Sequence, residues 1–187
     1  MGAGDSGFGG LNAEAIMAGV NKGRFAAEID GDFVVFLIGM RINQLWAVHQ
    51  WLPVALAMPK MLTELKRQPE LGLLEASYFL SPPIAMTVQY WRSFEQLHAY
   101  AHAKDKDHLP AWAEFNRRVG ATGVVGVFHE TYLVSAGRYE AVYVNMPRFG
   151  LAVAGGMVPA VGRMQSAKER IRASEEKAEG DDLPGRW

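Results

Sequence analysis

The sequence predicts an α+β domain built on a split βαβ pattern, with helices on one face of a single sheet. Three observations predict it. Residues 33–41 (FVVFLIGMR) form a β-branched and aromatic run, opened by the turn-like Asp30-Gly31-Asp32. Apolar residues at helical spacing follow: Leu45, Val48, Leu52, Leu56, Leu62 and Leu65. Beyond them the chain reads as β-α-β-β-α-α-β-β. The first six elements of that order are the split βαβ arrangement with a divided second helix, the ferredoxin-like class.

Each element has its own local signal. Asn43 is placed to cap a helix over 44–67, and Pro53 and Pro59 should kink or break it. Residues 71–80 read as a second strand, Ser81-Pro82-Pro83 as a turn, and 85–92 (AMTVQYWR) as a third strand. Ser93 caps a helix over 94–104, with Gln96 at the third helical position as in a capping box. Asp107 opens a further helix to Arg118, with Pro110 in its first turn. Gly120 to Gly123 break the chain. Residues 124–134 form a fourth strand and 139–146 a fifth, joined by the Ser135-Ala136-Gly137 turn. The folded domain therefore covers 25–150. A glycine-rich flexible segment, 1–24, precedes it. A charged C-terminal extension, 151–187, follows, with room for a short helix and disorder from Asp181 onward.

One face of such a sheet is left without helices, yet its alternating residues stay largely apolar or aromatic. Val35, Leu37 and Gly39 share one side of the first strand, and Thr87, Gln89 and Trp91 share one side of the third. Both groups are assigned to the uncovered face. A second copy of the chain would hide it, so the expected partner is a homodimer closing a dimeric α+β barrel.

Composition narrows the function classes. Lys and Arg number 19 against 20 Asp and Glu, whereas a nucleic-acid binder carries a basic excess. The longest apolar run, Phe33 to Met40, is too short to span a membrane. With no cysteine in 187 residues, disulfides, thiolate metal sites and a cysteine nucleophile are excluded. A cytoplasmic protein is the simplest expectation. The N-terminus lacks the basic and apolar regions of a signal peptide. Gly7 to Gly10 and Ala154-Gly155-Gly156 lack the strand–helix context of a phosphate loop.

Of the five histidines, His129 stands apart. It lies mid-strand in VGVFHETYLV, on one side with Val127, Thr131 and Leu133. An imidazole on an apolar face must be ligated, hydrogen-bonded or held neutral, so His129 is either an iron ligand or a histidine satisfied within the sheet. His98 and His102 share a helix face but lack a third ligand. His49 sits between apolar residues of the first helix, and His108 near a helix start. Arg41 ends the first strand on the side of Leu37, where its guanidinium can meet solvent or bind a carboxylate. Asn145 and Met146 end the fifth strand with alternate facing, so only one of them points inward.

Gln89 to Ala101 (QYWRSFEQLHAYA) resembles the strand–helix junction of antibiotic-biosynthesis-type monooxygenases, which are dimeric α+β barrels. The stretch from Gly23 to about Gly162 looks like a bacterial monooxygenase group of that superfamily. Tyr90-Trp91-Arg92-Ser93-Phe94, followed by Phe128-His129-Glu130-Thr131-Tyr132, is also similar to haem-containing aldoxime dehydratases. There the histidine of the corresponding strand is the proximal haem ligand. This resemblance implies haem b on His129; beside it, Arg41 and Met146 are expected as further cofactor contacts, Arg41 at a propionate or substrate, and Arg41 and Asn145 as catalytic candidates. The chain departs from that family in having no histidine after His129, where a distal one is expected; Tyr143 to Pro147 occupies the equivalent region. The implied function is a haem-dependent enzyme acting on a small organic substrate. The alternative is a cofactor-free monooxygenase, or a non-catalytic binding dimer, of the same fold.

Overall fold

The structure is a computed structural model that describes residues 19–103 and 122–181. The helix expected over 107–118, with His108 and Trp112, lies outside the described residues. So do Gly7 to Gly10 and the chain end beyond Asp181. In chain order the elements are β1 (Asn21–Glu28), β2 (Phe33–Ile42), α1 (Val48–Arg67), β3 (Leu73–Ser81) and β4 (Ile84–Trp91). They continue with α2 (Phe94–His102), β5 (Val125–Val134), β6 (Val142–Met146), α3 (Leu151–Ala154), β7 (Gly156–Pro159) and α4 (Ala167–Asp181).

The main sheet is antiparallel with strand order β3-β4-β2-β5. With α1 between β2 and β3, and α2 after β4, this is the ferredoxin-like split βαβ topology. Register decides which residues share a side. Val34 pairs with Trp91, Phe36 with Gln89 and Ile38 with Thr87. Val34 and Trp91 pack against Leu62 and Leu65 of α1 and Leu97 and Tyr100 of α2. Thr87, Gln89 and Trp91 therefore face the helices and are buried, not the uncovered side expected for them. Val35, Leu37 and Gly39 lie on the opposite side. Alternation gives each strand two sides, but pairing register alone says which sides coincide. On that opposite side Phe128 lies over Gly39, where a Cβ would come within 2.7 Å of its ring.

A second antiparallel sheet, of order β6-β1-β7, covers one end of the uncovered side. Ala27, Ile29, Leu151 and Ala152 pack there with Phe33, Val35, Tyr90 and Tyr139. Among the described residues, regular structure already includes β1 from Asn21, inside the stretch read as a lead-in. It continues through β7 and the 15-residue α4, inside the stretch read as an extension. Arg170 explains why α4 is held. It is 4% exposed, pairs with Glu140 and donates to the carbonyls of Met164 (2.9 Å) and Gln165 (2.8 Å).

The expected hairpin between the fourth and fifth predicted strands does not form, since β5 pairs with β2 and β6 with β1. Between them Tyr139 ties the chain to the second sheet: its hydroxyl accepts from Ile29 N–H (2.8 Å) and donates to Ile29 C=O (3.2 Å).

Helix α1 begins at Val48 without a side-chain cap. Asn43 instead donates to Gly123 C=O, fastening the start of the α1 connection to the entry of β5. The helix runs through both Pro53 and Pro59. Each proline removes one helical hydrogen bond, and burial of Met61, Leu62 and Leu65 on the sheet side offsets that loss. Ser93 caps α2 as expected, accepting from Gln96 N–H. The Gln96 amide turns to Glu70 C=O, so the reciprocal half of the capping box is replaced by a tertiary contact.

Leu62 is fully buried where α1 meets the sheet. Leu62→Ala should lower unfolding free energy by about 2–5 kcal/mol in urea titration. A loss under about 0.5 kcal/mol would mean that this seam is not the core.

Candidate functional site

Between α1 and the helix-facing side of the main sheet lies a cavity of about 460 Å³, the size class of small-molecule sites. Val54, Ala55, Met58 and Met61 of α1 form one wall. Ile38, Met40, Tyr78, Thr87, Val127 and His129 form the opposing one, contributed by all four strands of the sheet. The cavity exists because α1 presents small or flexible side chains where the sheet presents none large enough to fill the gap. The lining is largely apolar, which favours a ligand with the same character.

Its polar groups lie in one row across the sheet. Tyr78 of β3 pairs with Thr87 of β4, Thr87 with Ile38 of β2, and Ile38 with His129 of β5. With adjacent strands about 4.8 Å apart, the row carries a phenol, a hydroxyl and an imidazole across the cavity.

His129 shares the helix-facing side with Val127, Thr131 and Leu133, as their pairing with Ile38, Met40, Phe36 and Val34 requires. It belongs to the edge strand and is exposed at the cavity margin. Its ring rests 5.7 Å from that of Phe36. Glu130 lies on the reverse side and accepts from the Tyr132 hydroxyl. Tyr78 is half-buried, and desolvation raises its phenol pKa well above the ordinary value. It is thus a neutral hydrogen-bond donor at physiological pH. Thr87 is fully buried, and its hydroxyl oxygen accepts from the Gln89 amide at 3.0 Å. Gln89 in turn accepts from the Trp91 indole N–H at 2.9 Å.

Sequence reasoning singled out His129, which lines the cavity, and did not single out Tyr78 or Thr87, which line it too. A signal existed in Thr87, Gln89 and Trp91, three groups capable of hydrogen bonding on one side of an otherwise apolar strand.

The other expected site residues do not join His129. Arg41 is exposed and lies on the reverse side of the sheet, where it donates to Asn43. Asn145 and Met146 belong to β6 of the second sheet. Asn145 adopts a left-handed φ of 52°, and its side-chain oxygen accepts from Gly23 N–H (2.9 Å) where the β1–β6 register shifts. Its side chain satisfies a strand irregularity. Met146 accepts through its carbonyl from the Asn21 side chain. The groups assigned to haem b thus fall on opposite sides of one sheet and in another sheet altogether. They do not fit a haem site, and of that set only the imidazole faces the cavity.

His98 and His102 stack with ring centroids 4.0 Å apart, and among the described residues no group of three His, Asp or Glu could hold a metal ion. His49 is exposed on α1 rather than packed among apolar neighbours, because it lies on the helix's outward side. No helix among the described residues is long and apolar enough to cross a membrane.

The raised Tyr78 pKa has a consequence for stability. The unfolded chain ionises this phenol near pH 10, while the folded one keeps it neutral. Stability is therefore intact below about pH 10 and is lost as pH rises above it. Tyr78→Phe should lessen that alkaline loss, measured as the urea midpoint between neutral and strongly alkaline pH. An identical pH profile in the variant would contradict a buried, neutral phenol.

Comparison with known proteins assigns the family. The Monooxygenase af470-like family matches residues 33–151, which spans β2 through the start of α3 and includes every residue of the cavity. Monooxygenase af470 of Aspergillus fumigatus is 29% identical over 154 residues, covering 72% of this chain. The chain spans 54% of that curated relative's length. Among solved structures, SnoaB, a cofactor-independent oxygenase from Streptomyces nogalater, overlaps 54% of this chain and 91% of its own, with 12% identity and a TM-score of 0.39. A dimeric ferredoxin-like protein from a Jannaschia species overlaps 52% of this chain and 97% of its own, with 18% identity and a TM-score of 0.37. The family that matches is a monooxygenase family, and the similarity to aldoxime dehydratases is not shown. The chain belongs to the Monooxygenase af470-like family.

Proposed function

We propose that this chain is a monooxygenase that admits a small, largely apolar, electron-rich organic substrate to the cavity between α1 and the sheet. The observation carrying this reading is the row Tyr78, Thr87, His129. It sets proton-handling groups along one wall of an otherwise apolar hollow.

Such a set suits direct reaction of the substrate with oxygen. An acidic C–H of a quinol-type or phenolic substrate, present in its keto tautomer, is removed by His129. The resulting carbanion gives its electrons to O₂ and forms a C–O bond. Returning the proton yields a hydroperoxide. Where the carbon carries a second hydrogen, loss of water leaves a carbonyl, so CH₂ and O₂ become C=O and H₂O. All four electrons come from the substrate. Tyr78, held neutral by burial, donates a hydrogen bond to the oxygen on which charge develops. The apolar wall limits water at the reacting carbon.

Oxygen uptake by metal-free and haem-free protein with a quinol-type substrate tests this reading. One O₂ should be consumed per substrate. His129→Ala should lower kcat by about 10²- to 10⁴-fold with an unchanged melting temperature. Activity that appears only when haem is supplied, with a Soret band that His129→Ala removes, would overturn it.

We further infer that the uncovered side of the main sheet meets a second copy of the chain. Phe79, Phe128 and Tyr132 are 38–52% exposed there, which supports an apolar partner of the same shape. Sedimentation should show a dimer, and Tyr132→Lys should shift it toward monomer. A wild-type monomer at micromolar concentration would refute the pairing.

A further inference from the structure

We propose that a second, smaller hollow beside the substrate cavity is a binding site for dioxygen, which reaches the organic substrate through a wall that the two spaces share. The part given to the gas in the reaction rests on the proposed oxygenation; its binding does not.

The hollow lies where α1 and α2 meet the helix-facing side of the main sheet, and its volume is about 40 Å³. A single water needs about 10–15 Å³ of such space, so the hollow has room for a diatomic guest and none for an organic ring. Ile38, Met58 and Met61 line both this hollow and the larger cavity. The partition is thus one strand residue and two thioether side chains. Methionine is unbranched with three rotatable bonds, so a rotamer change at Met58 or Met61 joins the two spaces without moving the backbone. Leu65, Leu97 and Ala101 line the hollow but not the cavity.

Polar groups decide what can occupy it. Among the described residues, Gln89, Trp91 and Tyr100 bring polar side-chain atoms to its lining, and each is already engaged. The Trp91 indole N–H donates to Gln89 Oε1 at 2.9 Å. Gln89 Nε2 donates to Thr87 Oγ1 at 3.0 Å and approaches Met58 Sδ at 3.7 Å. The Tyr100 hydroxyl donates to Glu64 Oε2 at 3.0 Å. A buried water typically makes about three hydrogen bonds, and these donors are committed elsewhere. Dioxygen needs no such partner: it is small and apolar, and leaves water for surroundings of this kind. The two reactants of an oxygenation would then be sorted by size into adjacent spaces.

Methyl NMR of the full chain under dioxygen, against an equal pressure of nitrogen, tests the proposal, because dioxygen is paramagnetic and speeds the relaxation of protons beside it. Methyls of Leu65 and Leu97 should show a larger rise in relaxation rate than those of Val34 and Leu62, which are comparably buried in the same core and line neither space. Ala101→Leu, which fills the hollow, should abolish that excess; Ala101→Val, a smaller filling, should reduce it and serves if leucine disturbs α2. With a quinol-type substrate turning over, Ala101→Leu should raise the KM for dioxygen about three- to tenfold with kcat and the organic KM unchanged, the pattern of lost ground-state binding. Equal enhancement at all four core residues would overturn the proposal, as would an excess confined to Val54 and Ala55 of the larger cavity. An excess that both Ala101 variants leave intact would overturn it too, and so would an unchanged KM for dioxygen in a variant that has lost the excess. Absence of oxygen uptake by the wild-type protein would refute the proposed oxygenation and not the gas site, which the relaxation excess decides.

Discussion

Trp91 is 1% exposed and sits where the main sheet meets both α1 and α2. Burying an indole there gains a large apolar contact, but it also brings a polar N–H out of water, and that group must be paired. Gln89 pairs it, and being itself buried must be paired in turn, which draws in Thr87. The core and the polar floor of the cavity are therefore consequences of one constraint. The contacts of Trp91 with Val34, Leu62, Leu65 and Tyr100 close the helix layer onto the sheet. The same residue dictates, two strand positions at a time, where polarity appears along β4.

The cavity is a by-product of how this layer is filled. Near Trp91 the large residues of α1 meet the sheet and leave almost no room. Toward the other end, Val54 and Ala55 face Ile38 and Met40, and the layers separate. The edge position of β5 leaves His129 at the margin of that opening rather than inside the core. An imidazole there is reachable by a ligand yet fixed in direction by its strand, with Phe36 beside its ring. A rigid sheet thus presents its polar groups from three different strands, which keeps their spacing independent of loop motion.

What the sequence made legible follows from what is local. The strand at 33–41, the Asp30-Gly31-Asp32 turn before it and the Ser93 cap of α2 are each encoded within a few residues, and each is found. The β1 strand was not legible, because Asn21–Glu28 carries Gly23 and a bulge, and its partner β6 lies more than a hundred residues away. The hairpin expected after Gly137 failed for the same reason: Tyr139 prefers Ile29, a contact that no local pattern announces. In the site, His129 could be read from one strand alone. Arg41 and Asn145 could not, since facing depends on register for the first and on sheet membership for the second. The burial of Thr87, Gln89 and Trp91 against the helices likewise required the β2–β4 pairing.

The cavity wall contains the side chains of Met40, Met58 and Met61, and thioethers bring two properties that branched side chains lack. They are unbranched and polarizable, so the hollow can remould around guests of related outline without a change of backbone. They are also oxidisable, and conversion to sulfoxide would turn a greasy lining into a polar one. The lining is therefore adaptable packing whose polarity would change with the oxidation state of its sulfur atoms.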